Sequence, residues 1–361
     1  MMSTRQEGEN EESFHYMQLP REVIVGRDVL DRIGEVCQRL GFHGTALIVS
    51  GPVTYPLAGL RVAKSVAKNG MRVEHVTVKE STEDSLAEVV DEVKKTNANL
   101  VLGIGGGKDI DLAKLASSKN NIPFLSIPTA ASHDGIASPY ASIKGAEKPY
   151  SIRAQAPSAI ITDIEAIAGS PYRLLAAGCG DVVAKYTAVR DWQLAHKLKN
   201  EYYGDYAAEL ALMGAELVTK NASEIVNRKI GGVRTVVEAL ISCGVAMSIA
   251  GSSRPCSGAE HLFSHALDII AGETSLHGER AGVGAILCSY LQASNWESIK
   301  SFLQEIEAPT NARELKVSDD QIVKALIMAH TLRPERYTIL GETGITRPAA
   351  EKAAKVTGVI G

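Results

Sequence analysis

Strand and helix signals alternate without a break over the first 128 residues of this 361-residue chain. Apolar runs at Arg21–Gly26 (REVIVG), Thr45–Ser50 (TALIVS), Arg72–Val78 (RVEHVTV), Ala98–Gly105 (ANLVLGIG) and Pro123–Pro128 (PFLSIP) read as strands. Between them lie helical patterns such as Leu86–Thr96 (LAEVVDEVKKT). Such rotation predicts a mostly parallel sheet with helices on both faces. A hairpin is predicted over Tyr140–Ala154. Beyond about Ile167 strand signals nearly vanish, and long helical patterns take over at Tyr206–Val226, Arg234–Gly251 and Glu260–Gly272. The expected organisation is an α/β nucleotide-type domain over residues 16–166, then an all-helical domain over residues 167–361. Residues 1–15, polar and acidic with no apolar signal-peptide core, are expected to be a disordered tail. A ligand would sit between the domains, over the carboxyl ends of the strands.

Composition narrows the partners. A net charge of −4 gives no global basic field, which argues against nucleic acid. Five scattered cysteines, with no Cys-x-x-Cys, exclude a disulfide framework or a thiolate zinc site and point to the reducing cytoplasm. No run reaches the ~18 apolar residues of a membrane span, and the richest stretch, Ala239–Gly251, reads as a buried helix.

The strand ending at Gly105 runs into glycines and then a helix: VLGIGGGKDIDLAKL, Val101–Leu115. The dinucleotide fingerprint fails because Lys108 stands where its last glycine belongs. The P-loop fails because Asp109 follows Gly107-Lys108 and Leu102 occupies its upstream glycine position. What remains is a helix start with bare amides and a lysine, a combination suited to pyrophosphate, or simply a tight connection. A second polar loop, Ile127–Pro139, carries the hydroxyls of Thr129, Ser132 and Ser138, able to meet a ribose or amide.

In the helical half, His261 and His265 stand four residues apart and share a helix face with Asp268, while His277 opens the next helix. Imidazoles among so many apolar neighbours need partners, so a divalent metal is one reading and a polar helix face the other. A carboxylate would complete the metal reading. Asp181 and Lys185, in AAGCGDVVAKYTAVRDW, share one face of an apolar helix start, where Asp181 could equally be a cap.

The stretches GIGGGKDIDLAK, PTAASHDGIASPYAS, GCGDVVAKYTAVRDW, GAEHLFSHALD and HGERAGVGA occur in that order between Gly103 and Ala285. Together they resemble the family of metal-dependent polyol dehydrogenases and dehydroquinate synthases, and within it the branch acting on dihydroxyacetone phosphate. The resemblance implies a Rossmann-like N-terminal domain with an all-α C-terminal domain in the dehydroquinate synthase-like arrangement. It implies metal ligation, most simply of one Zn2+ per subunit, by Asp181, His261 and His277. It places His265 and Asp134 in catalysis and on the substrate, which Asp181, Lys185 and Arg254 would also touch. Gly106, Gly107, Lys108, Asp109, Ile110, Asp111, Thr129, Ala130, Ala131, Ser132 and Ser138 would line NAD or NADP.

The implied reaction is reversible NAD(P)H-dependent reduction of dihydroxyacetone phosphate to glycerol 1-phosphate. A dehydroquinate synthase-like lyase and a dehydrogenase of unphosphorylated glycerol are the alternatives. An assembly of identical subunits, without nucleic acid or membrane insertion, is expected. One departure stands out: NAD-preferring relatives carry an acidic residue after the second strand, where this chain has Ser50, Gly51 and Pro52. Nothing there repels the extra phosphate of NADP, so use of both cofactors is expected. Arg254, seven residues before His261, is expected to take the substrate phosphate, the alternative being that it caps the end of the preceding helix.

Overall fold

The computed structural model describes residues 15–144, 151–272 and 274–361. The expected tail, except for its last residue, and the tip of the expected hairpin lie outside the described residues. The strands are β1 (Glu22–Gly26), β2 (Thr45–Ser50), β3 (Arg72–Thr77), β4 (Leu100–Gly105), β5 (Phe124–Pro128), the short pair β6 (Tyr140–Ala141) and β7 (Ile152–Arg153), and β8 (Ala159–Asp163). In the first half α1 (Ile33–Arg39), α2 (Leu60–Lys68), α3 (Glu83–Lys95) and α4 (Gly107–Lys119) connect the strands.

All five strands expected from the sequence are present, and β6 and β7 pair antiparallel as the stem of the expected hairpin. Six strands form one sheet in the order β1-β8-β5-β4-β2-β3, and every adjacent pair in it is parallel. The strand alternation feeds both faces. Ala46 and Ile48 of β2 pack with Ile33, Val36, Val62 and Val66 of α1 and α2, while Leu47 and Val49 meet Val89, Val93, Ile110 and Ala113 of α3 and α4.

From β2 the chain moves outward to β3 at the sheet edge, then returns to the other side of β2 as β4. That reversal opens a crevice at the carboxyl ends of β2 and β4, the usual ligand position in such sheets. The register pairs Ser50 with Ile104 and Gly105 with Pro128. Gly51, the glycine turn and the loop after β5 therefore lie side by side along one rim.

After β8 the chain is helical: α5 (Ile164–Ala168), α6 (Tyr172–Val183), α7 (Lys185–Lys199), α8 (Asp205–Lys220), α9 (Ala222–Val226), α10 (Ile230–Ala250), α11 (Ala259–Ala271), α12 (His277–Leu291), α13 (Trp296–Glu305), α14 (Asp319–Met328) and α15 (Arg347–Val356). By length and composition α10 could cross a membrane, but most of it is buried inside the protein, as expected of its apolar stretch. The helical core also takes in Ala131, Ile136 and Ala137 from the loop after β5 and Ile160 of β8. The two halves thus share apolar packing along the rim of the crevice.

Candidate active site

Two close helix contacts bring the polar groups of the helical half together. A side chain at Gly180 would collide with the carbonyl of Gly278, and one at Gly278 with the carbonyl of Ala177, so α6 and α12 touch backbone to backbone. That approach sets Asp181 beside His277. Similarly, Gly178 leaves room for the carbonyl of Ala131, drawing α6 against the loop that carries Asp134.

Asp181 is the point of convergence. Its Oδ1 accepts from Lys185 Nζ at 2.9 Å and stands 3.2 Å from His261 Nε2 and 4.0 Å from His277 Nε2. Its Oδ2 accepts from the backbone amide of Asp134 at 2.8 Å. One donor atom from each of Asp181, His261 and His277 lies within 4.8 Å of the others, and a carboxylate with two imidazoles is a donor set that suits a divalent metal. Lys185 is fully buried and its ammonium also pairs with Asp134 Oδ2 at 2.7 Å. The His265 ring lies 5.7 Å from that of His277 and 6.4 Å from that of His261, centroid to centroid.

Electrostatics sort these groups. Burial opposes the charge on Asp181, but Lys185 and His261 outweigh it and hold the carboxyl well below its ordinary value. Burial likewise opposes the charge on Lys185, and Asp134 with Asp181 keeps it well above its usual value. Against burial, hydrogen bonds to Asp181 and Glu260 raise His261 to about 9. Burial and neighbouring imidazoles push His265 and His277 well below 6.5. His277 is thus neutral and ready to ligate. His265, which the resemblance places in catalysis, is held as a neutral imidazole, fitted to hydrogen bonding rather than to storing a proton.

Glu260, which the sequence reading passed over, supports His261 from behind. Its Oε1 lies 2.7 Å from His261 Nδ1 and also accepts from the Gly258 amide at 2.7 Å, while Oε2 accepts from Thr187 Oγ1 at 2.8 Å. A carboxylate on one ring nitrogen fixes the orientation of the imidazole and leaves the other nitrogen for a metal.

The glycine turn has an uneven function. Gly105 adopts φ +149°, and a side chain there would strike Asp109. The His133 imidazole occupies the space a side chain at Gly107 would need, and Gly106 alone of these three looks onto open space. The His133 ring also lies 6.2 Å from the His277 ring, centroid to centroid, and so spans from the glycine turn to the ligand set. Because α4 begins at Gly107, its first amides have no carbonyl within the helix to bond to, and that cradle suits a pyrophosphate. The loop after β5 stands alongside, Thr129 N donating to Gly105 O at 2.9 Å.

Several residues expected on the dinucleotide turn away from the crevice. Ile110 is fully buried in the core beneath the sheet. Asp111 accepts from Ser142 N at 2.9 Å and from Lys114 Nζ at 3.2 Å, while Lys114 also donates to the carbonyls of Gly135 and Tyr140. This buried pair stitches the Asp134 loop onto α4. Asp109, also buried, closes the turn from behind by accepting from Gly106 N at 3.2 Å, and burial raises its carboxyl to about 6. Ala130 and Ala131 are buried, and the Ser138 hydroxyl is spent on the carbonyl of Tyr140.

Arg254 requires a correction too. Its Nε and Nη2 both hold the Glu201 carboxylate and Nη1 donates to Tyr337 O at 2.9 Å, so the buried guanidinium's forked edge is taken by Glu201 rather than offered to a phosphate.

Comparison with known proteins agrees with this geometry. Residues 24–171 match the family model described as iron-containing alcohol dehydrogenase. The chain is 52% identical over 351 residues to glycerol-1-phosphate dehydrogenase (NAD(P)+) of Methanosarcina mazei, covering 97% of this chain and 98% of that one. It is 52% identical over 346 residues to the enzyme of the same name from Pyrococcus horikoshii, covering 96% of this chain and 100% of that one. Among solved structures it superposes on glycerol dehydrogenase from Schizosaccharomyces pombe with a TM-score of 0.78 at 20% identity, covering 95% of this chain and 90% of that one. A 1,3-propanediol oxidoreductase gives a TM-score of 0.77 at 15% identity, covering 95% and 100%. These two likenesses concern the fold.

Proposed function

The chain belongs to the family of NAD(P)-dependent glycerol-1-phosphate dehydrogenases, and on that premise we propose how its own residues carry the reduction. The reaction is the reversible conversion of dihydroxyacetone phosphate to sn-glycerol 1-phosphate with NADH or NADPH, which supplies the glycerophosphate backbone of archaeal ether lipids. The observation that carries the site assignment is the convergence of Asp181, His261 and His277 beside the Asp134 loop, which itself adjoins the glycine turn.

In this reading Asp181, His261 and His277 hold the metal, for which the donor set favours zinc, and the amides of Gly107 and Lys108 receive the pyrophosphate over the bare Gly106. When bound, the metal supplies Lewis acidity at the C2 oxygen and the dinucleotide supplies the hydride. Thr129 and Ser132 lie on the loop between the two sites and are suited to orient the nicotinamide end. Asp134, paired with Lys185, holds a substrate hydroxyl, and the Lys185 ammonium bridges it to Asp181. His265, neutral, donates a hydrogen bond that positions the substrate. Apolar packing on α11 and α12 excludes bulk water behind the ligands and strengthens these interactions.

We place the enzyme in the cytoplasm, as an assembly of identical subunits. Five buried, unpaired cysteines suit a reducing compartment. The test is oxidation of NADH with dihydroxyacetone phosphate, followed by determination of the product's configuration. His261→Ala, Asp181→Ala and His277→Ala are expected to lose bound metal and turnover together, whereas His265→Ala keeps metal and loses rate. Full metal occupancy in the first three would overturn the ligand set.

A further inference from the structure

With Arg254 committed to Glu201, the phosphate of the substrate needs another partner. The segment after α14, which carries no sequence motif, brings two more guanidiniums to the same corner. Arg336 donates to Ser257 O at 2.6 Å and to Ser253 Oγ at 2.8 Å, and both acceptors lie in the segment leading into α11. A turn joins Arg336 to Arg333, its amide donating to Arg333 O at 2.9 Å. Arg333 binds Glu335 through Nε at 3.2 Å, yet its Nη1 is buried and has no hydrogen-bond partner among the described residues.

We propose that Arg333, backed by Arg336, is the subsite for the phosphate of dihydroxyacetone phosphate, an inference that rests on the reaction proposed above. Three arginines meet where Glu201 is the carboxylate bound to Arg254 and Glu335 the one bound to Arg333. Burial, followed by the charges of Arg333 and Arg254, pushes Arg336 down to about 9. Glu201 and Glu260 oppose those two arginines, and an incoming dianion would add to that opposition. The corner also faces the chemistry. Arg336 grips Ser253 and Ser257 just ahead of α11, the helix that carries His261 and His265, and the short turn Ala329–Thr331, two residues before Arg333, packs against that same helix. A guanidinium with an unsatisfied, desolvated nitrogen is suited to forked contact with a phosphate. Arg336 acts through its hold on Ser253 and Ser257 as a positioning residue.

The experiment compares dihydroxyacetone phosphate with dihydroxyacetone in wild type, Arg333→Gln and Arg333→Lys, and follows the melting temperature with added inorganic phosphate or glycerol 1-phosphate. In Arg333→Gln the loss in kcat/KM on dihydroxyacetone phosphate is expected to exceed the loss on dihydroxyacetone by about 30-fold or more, with partial recovery in Arg333→Lys. Both phosphate probes are expected to raise the melting temperature of wild type and not of Arg333→Gln. Equal losses on the two substrates, or undiminished stabilisation of Arg333→Gln by both probes, overturn the subsite. A wild type that reduces dihydroxyacetone as efficiently as its phosphate overturns the underlying reaction as well.

Discussion

Glu260 Oε1 stands 2.7 Å from His261 Nδ1, so the imidazole that faces Asp181 is braced by a carboxylate on its far side. Both glutamate oxygens are otherwise engaged, by the Gly258 amide and by Thr187 Oγ1, and cannot swing away. Replacing this brace frees the ring to rotate and lowers its basicity. Glu260→Ala is expected to weaken metal binding by about 10–100-fold, with a smaller loss in Glu260→Gln, which keeps the acceptor and removes the charge. Competition against a coloured zinc chelator reads this directly. Unchanged affinity in Glu260→Ala would reduce the contact to helix-start packing.

The same pair sets a pH dependence. Burial works against a charged His261, but Asp181 and Glu260 prevail and hold it at about 9 against an ordinary 6.5. The metal-free protein therefore carries His261 protonated at neutral pH. Because the folded value is the raised one, this stabilisation is complete below about pH 6.5 and fades as pH climbs through 9. The chelator-treated protein is expected to lose about 2–4 kcal/mol across that window, a loss that metal loading removes. Metal affinity is expected to rise with pH over the same range, since the ion must displace that proton. A metal-free protein whose stability is flat from pH 6.5 to 9.5 contradicts the pairing.

Cofactor choice turns on Lys108. Its exposed chain leaves the start of α4, passes the end of β2 and donates to Lys79 O at 2.7 Å, just beyond β3. In a sheet of this order the adenosine ribose lies over the strand beside the glycine turn, here β2. One carbonyl leaves the ammonium two further protons for a 2′-phosphate. Wild type is expected to use NADH and NADPH within about tenfold of each other. Lys108→Gln is expected to weaken NADPH by about 30-fold and NADH by less than about threefold, read as dissociation constants from coenzyme fluorescence. Equal weakening would return Lys108 to the pyrophosphate.

Much of this was legible in the sequence because it is local. Strands such as TALIVS are apolar runs bounded by turn residues, and a paired His261 and His265 is visible from spacing alone. What escaped depends on neighbours distant in the chain. β8 was missed because Ala159–Asp163 runs straight into α5, with Asp163 ending the strand and capping the helix, so no polar break marks the change. Ile110 and Asp111 share a motif with the open Gly106, yet a helix turns successive residues about a third of a circle apart, and these two point into the protein. Glu260 sits next to His261 without any spacing signal, and its role exists only because Gly258 and Thr187 fix it.

Arg254 shows the same limit from the other side, since its nearness to His261 in sequence suggested the substrate phosphate. Its Nε donates to Glu201 at 2.6 Å, a second nitrogen holds the other carboxylate oxygen, and Nη1 binds Tyr337 O at 2.9 Å. The pair thereby ties the end of α7 to the segment before α11 and to the Tyr337 strand of chain beside Arg336. Removing the guanidinium leaves Glu201 and the part-buried carbonyl of Tyr337 without their donor. Because the Glu201 side chain is 35% exposed, water recovers part of the loss, and Arg254→Ala is expected to cost about 2–3 kcal/mol of stability. Losses in kcat/KM on dihydroxyacetone phosphate and dihydroxyacetone should then be equal within about threefold, both tracking the fall in melting temperature. Glu201→Gln should reproduce the destabilisation in part, since its amide can accept one of the two bonds. A selective loss on the phosphorylated substrate at an unchanged melting temperature would show that Arg254 leaves Glu201 to meet the phosphate.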